Sequence, residues 1–206
     1  MTTFESVDAV AAFLRALPPT PSRRIVGITG PPGAGKSTIG ELLARRLPST
    51  ALLPMDGYHF TQRRLVELGR RDRMGAPDTF DVNGFLRTLA ELRISGGPVF
   101  APSFDRELEE PITGALVIQP ELSTVIVEGN YLLHDSGGWE AVREELDLVF
   151  FVDVARDIRL SRLIDRHVRF GKSPDAAEAW AFGPDEDNAR LIEATASKAD
   201  HVIRLD

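Results

Sequence analysis

The residues from Gly30 to Ser37 form a glycine-rich segment that matches the pattern G-x-x-x-x-G-K-[ST]. Glycines let successive backbone N–H groups face one anion, Lys36 can bridge terminal phosphates, and the Ser37 hydroxyl can ligate Mg²⁺. A strand-like run precedes the segment and a helical pattern follows it, which places the loop at a helix N-terminus, where phosphate is favoured. We therefore predict a site for a nucleoside triphosphate, formed by Gly30, Gly33, Ala34, Gly35, Lys36, Ser37 and Thr38.

Two carboxylates, Asp56 and Glu128, each follow a strand-like run. In an open α/β sheet the carboxyl ends of the strands meet at the ligand-binding edge, so we expect both side chains beside the glycine-rich loop. Phosphoryl transfer requires a base for the attacking hydroxyl and an acidic group for the metal side. We assign the first role to Asp56 and the second to Glu128. The alternative is that either carboxylate caps a turn after its strand.

Four arginines recur at helical spacing far along the chain, namely Arg159, Arg162, Arg166 and Arg169. Like charges on one stripe repel each other unless an anion lies opposite, and a triphosphate is such an anion. Arginines on a closing lid can accelerate phosphoryl transfer by roughly 10³ to 10⁵-fold. We predict a helical lid over about residues 156–183, in which Arg162 contacts the nucleotide. The alternative is a solvated helix face partly neutralised by nearby aspartates.

The elements that would position these residues are apolar runs that alternate with helical patterns. Such continuous apolar strands are typical of a parallel sheet covered on both faces by helices. We predict five strands, at 24–29, 50–56, 124–128, 148–154 and 201–205. Between the second and third, Asn83 would cap a helix through about Ile94, followed by a hairpin of 99–104 with 115–118. An amphipathic helix over about residues 4–17 would precede the sheet, and no linker or repeat divides the single domain predicted for 1–206.

Composition excludes several classes of protein. With 206 residues, 43% of them hydrophobic, the chain can bury one substantial core. The formal net charge of -7 argues against a broad nucleic-acid surface, and the absence of cysteine excludes disulfides and thiolate chemistry. No apolar run reaches the length of a membrane span, and the N-terminal helix pattern is acidic where a signal peptide is cationic. We expect a cytoplasmic enzyme with a small-molecule substrate and no nucleic-acid or membrane partner.

Several motifs occur in the order seen in one known enzyme family. They are the glycine-rich loop, MDGYHF at 55–60, GAPDTFD at 75–81, PSFDR at 102–106, VEGN at 127–130 and the arginine helix. From about Arg24 onward the chain resembles the uridine kinases, phosphoribulokinases and type I pantothenate kinases, above all a bacterial branch labelled nucleoside/nucleotide kinase or fructose-transport-system kinase.

This resemblance implies a fold, cofactors and a reaction. The fold is that of the P-loop NTPases, a three-layer α/β/α arrangement around a five-stranded parallel sheet in the order 2-3-1-4-5. The cofactors are ATP and Mg²⁺, and the reaction moves the γ-phosphoryl group of ATP to a hydroxyl of a small metabolite. Relatives are often dimers, which leaves a homodimer open.

The family's functional residues transfer unevenly onto this sequence. The catalytic positions correspond to Lys36, Asp56 and Arg166. For the acceptor, Asp78 resembles a carboxylate that binds sugar hydroxyls, and Tyr58 and Arg106 are expected in the same pocket. Phe104-Asp105-Arg106 stands where uridine kinases carry an aromatic and histidine signature. Pantothenate, nucleosides, ribosyl compounds and sugars therefore all stay open as acceptors.

A regulatory GTPase, or an ATPase that drives motion, would also carry a glycine-rich phosphate loop. Such GTPases read guanine with an N-K-x-D motif, which this sequence lacks. An ATPase would not need an acceptor base beside the phosphates, and Asp56 argues against it. We favour the acceptor kinase, with a nucleotide switch or an ATPase as the alternative.

Overall fold

A computed structural model of the chain describes residues 1–205, in which strands and helices alternate. The strands are β1 (Thr2–Phe4), β2 (Arg24–Thr29), β3 (Thr50–Pro54), β4 (Val99–Asp105), β5 (Glu110–Ile118), β6 (Thr124–Glu128), β7 (Leu148–Asp153) and β8 (His201–Arg204). The α-helices are α1 (Val7–Ala16), α2 (Lys36–Arg46), α3 (Gln62–Glu67), α4 (Val82–Ile94), α5 (Arg156–Arg169), α6 (Pro174–Phe182) and α7 (Pro184–Glu193). Short 3₁₀ helices span Met55–Tyr58, Arg71–Arg73, Pro77–Thr79, Trp139–Glu145 and Ala196–Lys198.

The central sheet is parallel throughout and has the order β1-β8-β7-β2-β6-β3. The five predicted strands take the predicted order, but β1 adds a sixth strand. The helix predicted over about residues 4–17 begins only at Val7, because Ser6 caps it by accepting a hydrogen bond from the backbone N–H of Ala9. The preceding residues are extended and pair with β8, Thr2 opposite His201 and Phe4 opposite Ile203.

Alternating side chains of the sheet strands form two apolar cores, one on each face. Ile25 of β2 faces the core beneath α4, the β4–β5 hairpin and α7, whereas the next residue, Val26, faces the core beneath α1 and α2. Val125 and Ile126 of β6 divide in the same way. Helices therefore cover both faces, and the three-layer α/β/α fold is confirmed.

Two local predictions between β3 and β6 need correction. Asp81, not Asn83, caps α4, because its side chain accepts a hydrogen bond of 2.9 Å from the backbone N–H of Gly84. The hairpin is antiparallel as expected but longer, running from the pair Val99–Ile118 to the pair Asp105–Glu110. Its tip therefore extends beyond the sheet core towards the loop that follows β3.

Helices α5 and α6 occupy the range of the predicted lid. They pack on each other through Leu160, Leu163 and Ala181, a small apolar cluster that is separate from the two sheet cores. Within residues 1–205, no helix is both long enough and apolar enough to cross a membrane.

Candidate functional site

The glycine-rich loop connects β2 to α2 with backbone conformations that only glycine adopts readily. Gly33 and Gly35 have φ angles of 78° and 91°. A Cβ atom at Gly33 would also lie 2.6 Å from the carbonyl oxygen of Arg159, because the backbone of α5 packs directly on the loop. The loop thus lies at the N-terminus of α2, where backbone N–H groups can bind phosphate.

Lys36 and Ser37 begin α2 beneath this loop. Lys36 Nζ donates a hydrogen bond of 3.0 Å to the carbonyl oxygen of Pro31, and Ser37 Oγ donates one of 3.0 Å to Glu128 Oε1. Burial lowers the pKa of Lys36 to about 8 and raises the pKa of Glu128 to about 7. Both charged forms are therefore poorly solvated, and a bound triphosphate and divalent cation would compensate them.

Asp56 lies directly after β3 at the same edge of the sheet. Its Oδ2 accepts a hydrogen bond of 2.8 Å from Arg106 Nη2 at the hairpin tip, and its carbonyl oxygen lies 2.8 Å from His59 Nδ1. Burial acts to raise the pKa of Asp56, but His59, Arg106 and Lys36 outweigh it, so that the pKa lies below its usual range. Asp56 is thus ionised at neutral pH and able to accept a proton.

One cavity brings the loop, the strand ends and the arginine helix together. The predicted site residues that line it are Gly33, Lys36, Ser37, Asp56, Arg106, Glu128 and Arg166. Gly30, Ala34, Gly35 and Thr38 lie in the loop and the first turn of α2, adjacent to these residues.

The four arginines of the predicted stripe have different surroundings. Arg166 lines the cavity, and burial lowers its pKa. Arg162 Nη1 lies 3.7 Å from the position that a Cβ atom of Gly35 would occupy. Arg169 is exposed and outside the cavity lining.

Arg159 is the buried residue of the stripe, and its contacts lie within the protein. It is only 1% exposed, donates to the carbonyl oxygen of Pro32 (3.2 Å) and forms ion pairs with Glu193 (3.2 Å) and Glu186 (3.5 Å). These contacts compensate its charge within the protein and connect α5 to both the loop and α7. For Arg159 the counterions are thus Glu186 and Glu193, and not the triphosphate that was expected opposite the stripe.

Two predicted acceptor residues lie away from the cavity. The ring of Tyr58 is buried against Phe85, with centroids 5.0 Å apart, and burial raises the pKa of its hydroxyl to about 12. The carboxylate of Asp78 accepts two hydrogen bonds from Arg73, of 2.5 and 2.7 Å, and lies 3.2 Å from Arg70 Nε. Neither side chain lines the cavity, in contrast to the prediction.

The cavity also contains one ion pair and one histidine–carboxylate hydrogen bond that the sequence did not reveal. Arg71 Nη2 lies 2.8 Å from Glu109 Oε2, and His167 Nε2 lies 2.7 Å from Asp185 Oδ2. All four residues line the cavity. The partners are 38 and 18 residues apart in the sequence, so that no local pattern connects them.

The donor set at the loop fits Mg²⁺ bound together with phosphates. In the described part of the chain, no group of three or more His, Asp or Glu side chains could hold a metal ion by itself. Ser37 and Glu128 offer two neighbouring oxygens, and Mg²⁺ commonly takes one or two protein ligands and completes its shell with phosphate and water oxygens. These two residues would therefore hold the ion.

Comparison with known proteins identifies related chains. Residues 25–205 match the model of the phosphoribulokinase / uridine kinase family. The protein YggC of Escherichia coli strain K12 is 33% identical over 192 residues, which cover 90% of this chain and 79% of that protein. The ATP-dependent kinase-like protein notR' of Aspergillus versicolor is 37% identical over 158 residues, or 73% of this chain and 87% of that protein. A crystal structure from Silicibacter sp. TM1040, described as a candidate fructose transport system kinase, has a TM-score of 0.88 at 37% identity and covers 97% of this chain and 99% of that one.

Proposed function

The chain belongs to the phosphoribulokinase/uridine kinase family, and on that premise we propose that its cavity transfers the γ-phosphoryl group of ATP to a hydroxyl of pantothenate, a nucleoside or ribosyl compound, or a sugar. As a member of this family it is a P-loop kinase that phosphorylates a small metabolite. The observation that carries the site assignment is the Asp56 carboxylate, which Arg106 holds in the same cavity as Lys36 and the Ser37–Glu128 pair.

In this proposal the loop side of the cavity binds the triphosphate. Backbone N–H groups of the loop and the Lys36 ammonium bind phosphate oxygens, while Ser37 and Glu128 hold Mg²⁺. A Mg²⁺ ion held by these two residues would supply positive charge that compensates the triphosphate. Arg166 faces the same space and stabilises charge that moves towards the leaving group.

Asp56 acts on the acceptor. It accepts the proton of the acceptor hydroxyl as the hydroxyl oxygen bonds to the γ-phosphorus and the bond from that phosphorus to the β-γ bridging oxygen breaks, which leaves ADP. Arg106 orients the carboxylate and keeps it ionised until the proton arrives.

Helices α5 and α6 serve as the lid in this proposal. Their contacts with each other form an apolar cluster separate from the sheet cores, while Arg159 fixes the first turn of α5 to the loop and to α7. In this proposal the later turns of α5 therefore move together with α6. Arg166 of α5 and Lys172 between the helices both line the cavity, so that closure would bring positive charge towards the phosphates.

The test is ATP-Mg²⁺ turnover measured as ADP release, with and without each of four hydroxylated acceptors, namely pantothenate, uridine, ribose and fructose. We expect turnover that depends on one acceptor, together with its phosphorylated product in the mass spectrum. ADP release that proceeds equally without any acceptor would support the ATPase alternative instead. The similar structure described as a candidate fructose transport system kinase is a reason to include a sugar.

A further inference from the structure

Part of the cavity lining comes from the segment 56–109, and we call this part the acceptor wall. It is formed by the cavity-lining residues of the segment 56–109, namely Asp56, His59, Arg71, Met74, Gly75, Phe80, Phe104, Arg106 and Glu109. Because the base Asp56 belongs to it, an acceptor whose hydroxyl reaches Asp56 contacts this wall.

The arginines of the acceptor wall each have a carboxylate partner within the wall itself. Arg106 is paired with Asp56 and Arg71 with Glu109, both at 2.8 Å. Burial lowers the pKa of His59, so that its ring is uncharged at neutral pH. The charges of this wall therefore cancel in pairs before any ligand binds.

The other side of the cavity is different. Lys36 and Arg166 line it, and in residues 1–205 neither has a carboxylate oxygen within ion-pairing distance. Cations without paired carboxylates suit the anionic triphosphate. The acceptor wall offers no such unpaired cation.

The Arg71–Glu109 pair is fixed in place by the hairpin tip. Glu109 has a φ angle of 51°, an uncommon conformation for a residue other than glycine. Its carbonyl oxygen accepts a hydrogen bond of 2.8 Å from Gln62 Nε2, and the backbone N–H of Gln62 donates to Glu110 Oε1 at 3.1 Å. Both side chains of the pair are 43% exposed. The pair is thus preorganised and open to a ligand.

An apolar surface lies beside the pair. The His59 ring packs between Phe80 and Phe104, with centroid distances of 3.9 and 4.8 Å. Such a surface can cover the C–H groups of a ligand, while the arginine donates hydrogen bonds and the carboxylate accepts them.

We propose that the acceptor is an uncharged, hydroxyl-rich molecule, and that Arg71 and Glu109 together bind its hydroxyls. This inference rests on the proposed kinase function and narrows its acceptor. A hydroxyl can accept a hydrogen bond from Arg71 and donate one to Glu109, so that it satisfies the pair without separating it. An acceptor with a carboxylate or phosphate at this position would compete with Glu109 for the donors of Arg71 and would lie beside the negative charge of Glu109, which disfavours it.

A fractionated metabolite extract tests the charge of the acceptor directly. The extract is passed over a strong anion-exchange resin, and the unbound fraction and the eluted anionic fraction are each incubated with the enzyme and γ-labelled ATP. We expect label in new products only from the unbound fraction. Label from the anionic fraction alone would overturn the inference and leave the kinase function intact. Label from neither fraction would overturn both.

Variants of the hairpin tip test the role of the pair. Glu109→Gln removes the negative charge beside Arg71 without a change of shape, so the ratio of kcat/KM for pantothenate to that for its uncharged alcohol, panthenol, should rise about tenfold. The matched control is Glu107→Gln, at an exposed residue of the same turn that does not line the cavity, and it should leave the ratio unchanged. Arg71→Gln should lower transfer to the unbound fraction and keep ATP affinity. A Glu109→Gln enzyme that is folded, as shown by circular dichroism, but keeps the wild-type ratio would show that the pair serves structure only.

Discussion

The two sides of the cavity differ in how their charges are balanced. On the loop side, Lys36 and Glu128 are buried and Arg166 is half-buried. Desolvation shifts the pKa of each of these groups in the direction that favours its neutral form. On the acceptor wall, Arg71 and Arg106 each hold a carboxylate at 2.8 Å. The charges of the loop side are compensated only when a charged ligand binds. The charges of the acceptor wall are already paired, so this wall selects its ligand by hydrogen-bond geometry and shape. Substitutions on the two sides should therefore impair different steps, the use of ATP on the loop side and the use of the acceptor on the acceptor wall.

The largest effect is expected for Asp56→Asn on the acceptor wall. The amide cannot take the proton of the acceptor hydroxyl, and kcat should fall by about 10² to 10⁴ while ATP affinity is kept. Steady-state kinetics and equilibrium titration with a non-hydrolysable ATP analogue separate the two quantities. A parallel loss of ATP affinity would instead make Asp56 a nucleotide or metal ligand.

Lys36→Ala tests the loop side. The variant loses a positive contact with the phosphates, and transition-state stabilisation should fall by roughly 3 to 4 kcal/mol, measured as the loss in kcat/KM for ATP. Ser37→Ala should act in the same direction because it removes a metal ligand. Arg45→Ala, at an exposed position on the same helix, is the control and should be near wild type. Near-normal turnover by folded Lys36→Ala protein would contradict the P-loop assignment.

Arg166→Ala should lower kcat by about 10 to 100-fold and raise the KM for ATP less, because a lid contact strengthens as charge moves to the leaving group. Arg166→Lys should recover only part of the activity, since an ammonium lacks the bidentate guanidinium geometry. Arg169→Ala is the control on the same helix, because Arg169 is exposed and outside the cavity lining. Equal effects of Arg166→Ala and Arg169→Ala would place the catalytic arginine elsewhere.

The smallest effect concerns stability. Burial raises the pKa of Glu128 from 4.5 to about 7, so between these values the folded protein holds a proton that the unfolded chain has lost. The stability of the folded protein therefore falls as pH rises through this window. Glu128→Gln lacks this loss of stability. Its free energy of unfolding minus that of wild type, measured by urea unfolding, should therefore be ~1 to 2 kcal/mol larger at pH 8 than at pH 5. The control is Glu178→Gln at an exposed position, whose stability relative to wild type should be the same at pH 5 and pH 8. If the stability of Glu128→Gln relative to wild type is also the same at the two pH values, burial does not raise the pKa of Glu128.

The glycine-rich loop and the two carboxylates Asp56 and Glu128 were predictable, because each is indicated by its own short stretch of sequence. The P-loop pattern requires only eight consecutive residues, and Asp56 and Glu128 follow strands whose carboxyl ends must meet. The strand order came from the family resemblance. The added strand β1 was missed because Phe4 continues the apolar face of α1 in sequence, while the Ser6 cap separates the two in space.

The acceptor wall is formed by residues that are far apart in the sequence, and its members were predicted less accurately than the glycine-rich loop. Asp78 matches a sugar-binding carboxylate in its motif, but the neighbouring Arg70 and Arg73 engage it. Tyr58 follows the base by two residues, yet the 3₁₀ helix over Met55–Tyr58 turns its ring into the core. The Arg71–Glu109 pair needs the hairpin tip to meet the segment after α3, which no spacing in the sequence indicates.

The two edges of the central sheet limit how the molecule can self-associate. At one edge β1 is only three residues long, and at the other β3 ends in Pro54, which has no backbone N–H to donate. Short or proline-bearing edge strands are poor templates for a strand from another molecule. The sheet is therefore protected against growth by strand addition, and aggregation or polymerisation through it should require prior unfolding of an edge.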